Sequence, residues 1–476
     1  INYAAEAGGG ASVEFIGNIV SGNSGEAGDE STSAAFLVTT YFGAGTEATI
    51  SGNTVSDSTA GVAVGYDEND TSSITFGAGN DFTDNVGTGV VVVGNASASN
   101  TKAVNGTFDW DGGAGNNAPQ GAGLVDVLRG GAGNDIITGF GGGDTIIGGE
   151  GDEAAGDTAF YNEVIDLTEI VTSGGGWTVT SDTEGTDALT EIEVIGGTDP
   201  DGVGGSSGWS LLVGNGGFAT IQAAVDAAVD GDTILIATGV YSEQVVVDGI
   251  DDLTFLAATG ADVTIRAPGD MVETARSTSD RELNAVFTVK NASNVTLQDV
   301  TVDGDGKGAT IDETDGAGQA NFVGVVYRNA SGSLVDVDVI KVRDEPLNGV
   351  QRGVGVQVDN DTQLAFTMTG GSISDFQKNA TVFNNANLNV SGVTVTGAGA
   401  TTALAQNGFQ ALNSTGSISG NTITGIGYAG PADAYSGSIL AFDNTNLTLD
   451  NNIITGTNGA TTDAKVVGIF VLGTNS

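Results

Sequence analysis

The 476-residue chain carries 78 Gly and sets 60 Asp and Glu against 13 Lys and Arg, for a formal net charge of -47, with no His and no Cys. That balance argues against nucleic acid and anionic membrane as partners, since phosphate surfaces are repelled over a Debye length of about 10 Å, and it makes cations the expected ones. Lacking Cys and His, the chain has no disulfides, thiolate metal sites, Ser-His-Asp triads, Cys-His pairs or zinc hydrolase motifs.

In chain order, residues 1 to 117 read as short strands of alternating apolar residues separated by turn residues. The first ten, "INYAAEAGGG", lack the basic flank and apolar core of a signal peptide, and the chain reads as cut from something longer. "FIGNIVSG" (15 to 22) and "TISGNTVSD" (49 to 57) are strand, small corner, strand; "AAFLVTT" (34 to 40) and "GVAVG" (61 to 65) are partner strands. The same unit returns later as "TLQDVTVDG" (296 to 304), "NVSGVTVTG" (389 to 397), "SISGNTITG" (417 to 425) and "TLDNNIITG" (448 to 456). A self-similar unit of about 22 to 40 residues with three short strands and no helix predicts a parallel β-helix, in which stacking supplies the core. Asn18, Asn53, Asn421 and Asn452 share one corner and are expected to form an amide ladder.

Residues 121 to 157 break this pattern with a glycine-aspartate run. "GGAGNDIIT" (130 to 138) matches G-G-x-G-x-D-x-U-x at every position, and "GFGGGDTII" (139 to 147) fails only at Phe140. "GAGLVDVLR" (121 to 129) keeps Asp126 and Leu128, and "GGEGDEAAG" (148 to 156) puts Glu153 where Asp belongs. Glycines let the turns take positive φ and aim carbonyls inward, Asp adds a hard anionic oxygen, and the apolar residue anchors a strand. A flexible linker is the bland alternative, but linkers do not place Ile or Leu at every ninth position. The run resembles the RTX, or hemolysin-type, calcium repeats, and "D-T-x-x-Y" followed by "T-D-x-L-x-x-I-E-x-I" (157 to 199) is similar to the segment that trails them. The resemblance implies bound Ca2+ with Gly131, Gly133, Gly142, Asp126, Asp135, Asp144, Asp152 and Glu153 as the metal-site residues. It also implies that Asp126 faces Asp144 and that Asp135 faces Asp152 or Glu153.

Residues 201 to 214 read as a linker. In "GFATIQAAVDAAVDGDTILIATGVYSEQVVV" (217 to 247), Ile221, Ala224, Val225 and Ala228 are at helical spacing, and the period switches to two after Gly231. This cap and first coil resemble the start of right-handed β-helix proteins of the pectin-lyase-like superfamily, over residues 215 to 476. Ten of the 13 basic residues lie between 266 and 378, so Lys341, Arg343, Asp344, Glu345 and Arg352 are a conceivable polysaccharide site. Pairing of that basic band with acidic surface is the preferred reading. "DGDGKGATIDET" (303 to 314) begins like a calcium loop, but Lys307 and Thr314 stand at ligand positions. Asn-x-Ser/Thr triplets such as those at Asn291, Asn329, Asn389 and Asn446 arise readily at solenoid corners.

The expected fold is therefore all-β: a right-handed parallel β-helix solenoid interrupted by a short RTX calcium β-roll module at about 118 to 200. Residues 1 to 117 would be the C-terminal coils of a rod whose N-terminal coils are 215 to 476 of a neighbouring repeat or copy, because joining Ser476 to Ile1 continues the coil pattern. The expected role is a secreted, calcium-dependent structural or adhesive filament or matrix protein whose partner is itself, at the cell surface or in an extracellular polysaccharide. Export by the one-step (type I) route is implied by the RTX resemblance. No catalytic set is recognised and no enzyme is expected: β-helix modules joined to RTX modules are similar to alginate C5-epimerases, but that family's Tyr/Asp/His/Asp set is missing. A polysaccharide-acting enzyme, lyase-like or epimerase-like, and an S-layer or carbohydrate-binding surface module are the alternatives.

Overall fold

The computed structural model describes residues 11–23, 33–39, 46–64, 72–77, 79–82, 88–92, 103–106, 109–111, 116, 121, 125–149, 155–198, 208–311, 321–430, 434–457 and 465–473. The chain divides into two compact units, Ile1–Ala219 and Thr220–Ser476. Both are built from right-handed parallel β-helix coils, as the strand–corner–strand repeat predicts.

In the second unit the helix is Ile221–Ala227, with Ile221, Ala224 and Val225 buried. Thr220 caps it, accepting from the Ala223 amide, and the Glu243 carboxylate accepts from the Ile221 and Gln222 amides at 2.9 Å each. Those are amides that a helix start leaves without intrahelical partners. The first coil follows as Thr233–Ile236, Gly239–Ser242 and Val245–Asp248. Every later coil adds one strand to each of three parallel faces, and the face that starts at Gly239–Ser242 has eight strands, hence eight coils among the described residues. One corner carries Asn291, Asn329, Asn385, Asn413 and Asp443, all with φ between 48° and 55°. A short polar side chain tolerates this left-handed conformation where most residues do not. Phe255, Phe287, Tyr327, Phe366 and Phe383 fill the interior. The long connections all fall at one corner, between the second face and the third, and so border the third face.

In the first unit, Ser12–Ile16, Glu47–Ser51, Ser73–Phe76 and Ala103–Gly106 form one parallel face. Ile19–Ser21, Thr54–Ser56 and Asp81–Phe82 form a second, and Phe36–Val38, Ala60–Val64 and Thr88–Val92 a third. At the corner, the Asn18 amide and Nδ2 both donate to Asn53 Oδ1 (2.9 and 2.8 Å), and Asn53 repeats this toward Asn80. Asn421 and Asn452 do the same in the second unit. The expected ladder thus exists in both units, with Asn80 as a further rung.

The coils of the first unit pass into a two-sided roll. Asp109–Asp111, Val127–Arg129, Thr145–Ile147 and Gly185–Thr190 stack as one sheet; Ile136–Ile137, Thr158–Tyr161 and Val194–Gly197 stack as the other. Between the two sides an antiparallel meander, Ile170–Ser173, Gly176–Ser181 and Gly185–Thr190, is inserted and buries Trp177. The expected linker differs from what is found: Ser210–Val213 pairs antiparallel with Val194 and Ile195 and buries Leu211, Leu212 and Val213, because three consecutive apolar residues gain more from the core than from water.

Candidate functional site

The roll places its acidic residues in two columns. In the first, the Asp126 amide donates to Asp144 Oδ1 and the Asp144 amide to Asp187 Oδ1, both at 2.8 Å. In the second, the Asp135 amide donates to Asp157 Oδ1 at 2.7 Å and the Asp157 amide to Glu193 Oε2 at 2.8 Å. Asp126 and Asp144 therefore meet as expected. Asp135 meets Asp157 instead, while Asp152 and Glu153 lie outside the described residues. The sequence offsets along the ladder are 18, 43, 22 and 36, so only the first is two nonapeptides long.

One oxygen of the Asp144, Asp187, Asp157 and Glu193 carboxylates is thus held by an amide. Asp144 Oδ2 and Glu184 Oε2 are buried without a hydrogen-bond partner among the described residues, while the Asp187 carboxylate faces the Tyr161 hydroxyl. Glycine makes the close approach possible. A Cβ on Gly139 would lie 2.3 Å from Asp144 Oδ2, and one on Gly121 would lie 2.6 Å from both Asp126 Oδ2 and the Gly139 carbonyl. Gly131, Gly133 and Gly142 turn with φ of 101°, 127° and 153°. Phe140, the one departure from the repeat, holds φ 63°, where the preceding repeat has Gly131.

Burial, and then the neighbouring Asp187 and Asp126 carboxylates, push the Asp144 carboxyl up to about 7. Burial raises Asp187 as well, and burial and the nearby carboxylates raise the Tyr161 phenol. Oxygen-only donors, buried anions and bare glycines fit Ca2+, a hard cation. Among the described residues no three acidic side chains converge on one point, so a calcium ion here would be held by no more than two carboxylates, such as Asp126 with Asp144 or Asp135 with Asp157, together with carbonyls of the glycine turns. The EF-hand-like loop is different: Asp303 is engaged by Arg266 and Lys341 at 3.3 and 3.2 Å, and Lys307 pairs with Asp305.

The second unit offers a groove of about 820 Å³ over its third face. Its floor consists of outward side chains from successive coils, Asn321, Gln357, Asn379 and Gln410, joined by amide hydrogen bonds such as Asn321 Nδ2 to Gln357 Oε1 at 2.9 Å. One wall is the hairpin formed by Ala275–Arg276 and Glu282–Lys290. Asp359 pins that wall, accepting from the Thr278 amide (2.9 Å), Thr278 Oγ1 (2.8 Å) and Asn384 Nδ2 (2.8 Å).

Charge separates this groove from the rest of the surface. Of the ten basic residues from Arg266 to Lys378, eight form ion pairs: Arg266, Arg276, Lys290, Lys307, Arg328, Lys341, Arg343 and Arg352. The two that remain, Arg281 and Lys378, both line the groove. Arg281 has no hydrogen bond from its guanidinium to any described residue, while Lys378 Nζ donates to the Ala405 carbonyl at 2.7 Å and its pKa is lowered by burial. The conceivable site at Lys341–Arg352 is instead a set of internal ties. Arg352 grips the buried Asp344 carboxylate through Nε and a terminal nitrogen (2.8 and 3.1 Å), and Arg343 pairs with Glu345 and Asp375. Nothing in the sequence marked the groove, whose residues come from separate coils.

No protein-family model matches the chain, and no curated protein matches it. Solved structures that resemble it include the pectin methylesterase from carrot, at 14% identity over 56% of this chain and 88% of that one, with a TM-score of 0.34. The pectin methylesterases of Erwinia chrysanthemi (13% identity; 54% and 92% covered; TM-score 0.26) and Yersinia enterocolitica (15%; 52% and 94%; 0.23) resemble it too. The expectation that the chain is not an enzyme, drawn from its lack of a recognised catalytic set, is corrected here, since these neighbours are enzymes. The likeness is one of coil architecture and carries no activity across.

Proposed function

We propose that the protein is a polysaccharide-acting β-helix protein that takes an extended acidic glycan into the groove of its second unit. The observation that carries this is the groove's composition: a floor of side-chain amides, suited to sugar hydroxyls, beside the two basic groups of the Arg266–Lys378 band that make no ion pair. In a chain with a net charge of -47 this is a local concentration of positive charge, set against one lining carboxylate, Asp359, whose oxygens already accept from Thr278 and Asn384. Arg281 would bind a glycan carboxylate, and Asn321, Gln357, Asn379 and Gln410 would orient hydroxyls. Burial lowers the pKa of Lys378, which also lines the groove. Binding and turnover of polyuronates, measured by calorimetry and by product analysis, test the reading. Arg281→Ala should weaken binding about tenfold, the scale of one exposed charge-assisted contact. Absence of binding by the wild-type protein to every acidic polysaccharide tried would overturn it.

A calcium role for the roll is favoured by a separate observation, the buried Asp144 Oδ2, which has no hydrogen-bond partner among the described residues. Calcium would stabilise the roll where it exceeds the millimolar affinities of extracellular modules, which fits action outside the cell, at a surface or in a matrix.

A further inference from the structure

The sheet face that floors the groove of the second unit runs on past it. Two of its rows pass from coil to coil in unbroken register: Gln357, Val382, Gln410, Leu440 and Phe470 in one, Asp359, Asn384, Leu412 and Phe442 in the other. Gln410 and Leu412 line the groove, and the members that follow them do not. Neighbours in a row are one strand spacing apart, about 4.8 Å, so Leu440 and Phe442 lie one step beyond the groove and Phe470 two. Hydrogen bonds carry the floor across the same boundary. Asn407 Nδ2 donates to Asn379 Oδ1 at 3.0 Å, and the Gly437 amide donates to Asn407 Oδ1 at 3.2 Å.

The chemistry of the face changes along these rows. Inside the groove it presents amides and the Asp359 carboxylate; beyond it come Leu440, Phe442 and Phe470, together with Tyr435, which is 49% exposed. The rings support one another. The Phe470 ring is centred 5.5 Å from that of Tyr435 and 6.0 Å from that of Phe442, and Lys465 Nζ lies 4.7 Å from the centre of the Tyr435 ring. A Cβ on Gly437 would come 2.9 Å from Leu440 Cγ, so a bare glycine gives Leu440 room to lie close to the sheet. Aromatic side chains already packed together lose little further freedom when a ligand settles on them, and their negative faces attract the polarised C–H groups of a sugar ring. Past Asp359 neither row carries a carboxylate, so an acidic chain lying along them meets no like charge from them.

We infer that Tyr435, Phe442 and Phe470 form a stacking subsite for the glycan held in the groove, taking the ring faces of a chain that runs along the coil axis past Gln410. The inference rests on the glycan reading and sharpens it. The ligand is a polymer longer than the groove, bound at one end through carboxylate and hydroxyl groups and at the other through the C–H faces of its rings. Affinity should therefore depend on chain length, and the aromatic cluster is the part of the protein that reads it.

The test is titration calorimetry of the whole chain with oligogalacturonates and oligomannuronates of increasing length. Wild-type affinity should go on rising after the groove is filled. Tyr435→Ala and Phe442→Ala should each cost about tenfold on the long chains, the scale of one aromatic contact, and leave the short ones unchanged, with unaltered circular dichroism. Tyr435→Phe, which keeps the ring, should bind long chains as the wild type does. Wild-type affinity that does not rise with length, or losses equal on short and long chains, would overturn the subsite while the groove reading stands. No binding at any length would overturn the groove reading and the subsite with it. Sedimentation of the unliganded protein covers the other occupant: self-association abolished by Tyr435→Ala would assign the cluster to a second copy and overturn the inference.

Discussion

Asp144 sits where burial and two neighbouring carboxylates all disfavour its charge, and its pKa rises from 3.8 to about 7. The sign follows from linkage. A carboxyl that binds its proton more tightly in the folded state stabilises the metal-free roll fully below pH 3.8, and that contribution is lost as pH rises to about 7. Calcium needs the ionised form, so its binding releases a proton and strengthens over the same interval. Calcium titrations at a series of pH values should show affinity climbing toward pH 7 and then levelling, and Asp144→Asn should flatten the dependence and weaken binding at least tenfold. The pairing of Asp126 with Asp144 was legible because its offset of 18 residues is two nonapeptide periods. Asp157, Asp187 and Glu193 were not: Asp157 follows Asp135 by 22 residues, not 18, and the inserted meander stretches the next two offsets to 43 and 36, which a fixed-period reading cannot follow.

At the scale of elements, the hairpin beside the groove depends on contacts made far away in sequence. Thr278 and Asp359 are 81 residues apart, yet this carboxylate holds the hairpin's amide, its hydroxyl and the Asn384 side chain. Asp359→Ala should free the wall and reduce glycan binding about tenfold or more, while the melting temperature falls only slightly, because the coils beneath keep their ladders. Calorimetric binding and thermal melts on one preparation would check both halves. The capping helix, the strands and the Asn corner were legible because each imposes a local period or a recurrent residue. The groove was not, because Asn321, Gln357, Asn379 and Gln410 become neighbours only through stacking, with intervals set by irregular connections.

For the molecule as a whole, division into two units separates the carboxylate columns from the groove. Where two units unfold as separate transitions, a ligand moves only the transition of the unit it binds. Scanning calorimetry should therefore resolve two transitions, of which chelation lowers only the one belonging to Ile1–Ala219, and an acidic oligosaccharide raises only the other. A single transition that moves with both ligands would contradict the separation. The ladder in the roll also has a direction: each amide donates to a carboxylate that comes later in the chain, so the column starting at Asp126 is complete only once Asp187 is in place. Asp187 lies on a strand whose antiparallel partner, Gly176–Ser181, is only a few residues away, and contacts this local form much faster than stacked coils. The expected order is therefore meander first and roll stacked on it afterwards, and pulsed hydrogen exchange that protects Val127–Arg129 before Gly176–Ser181 would contradict it.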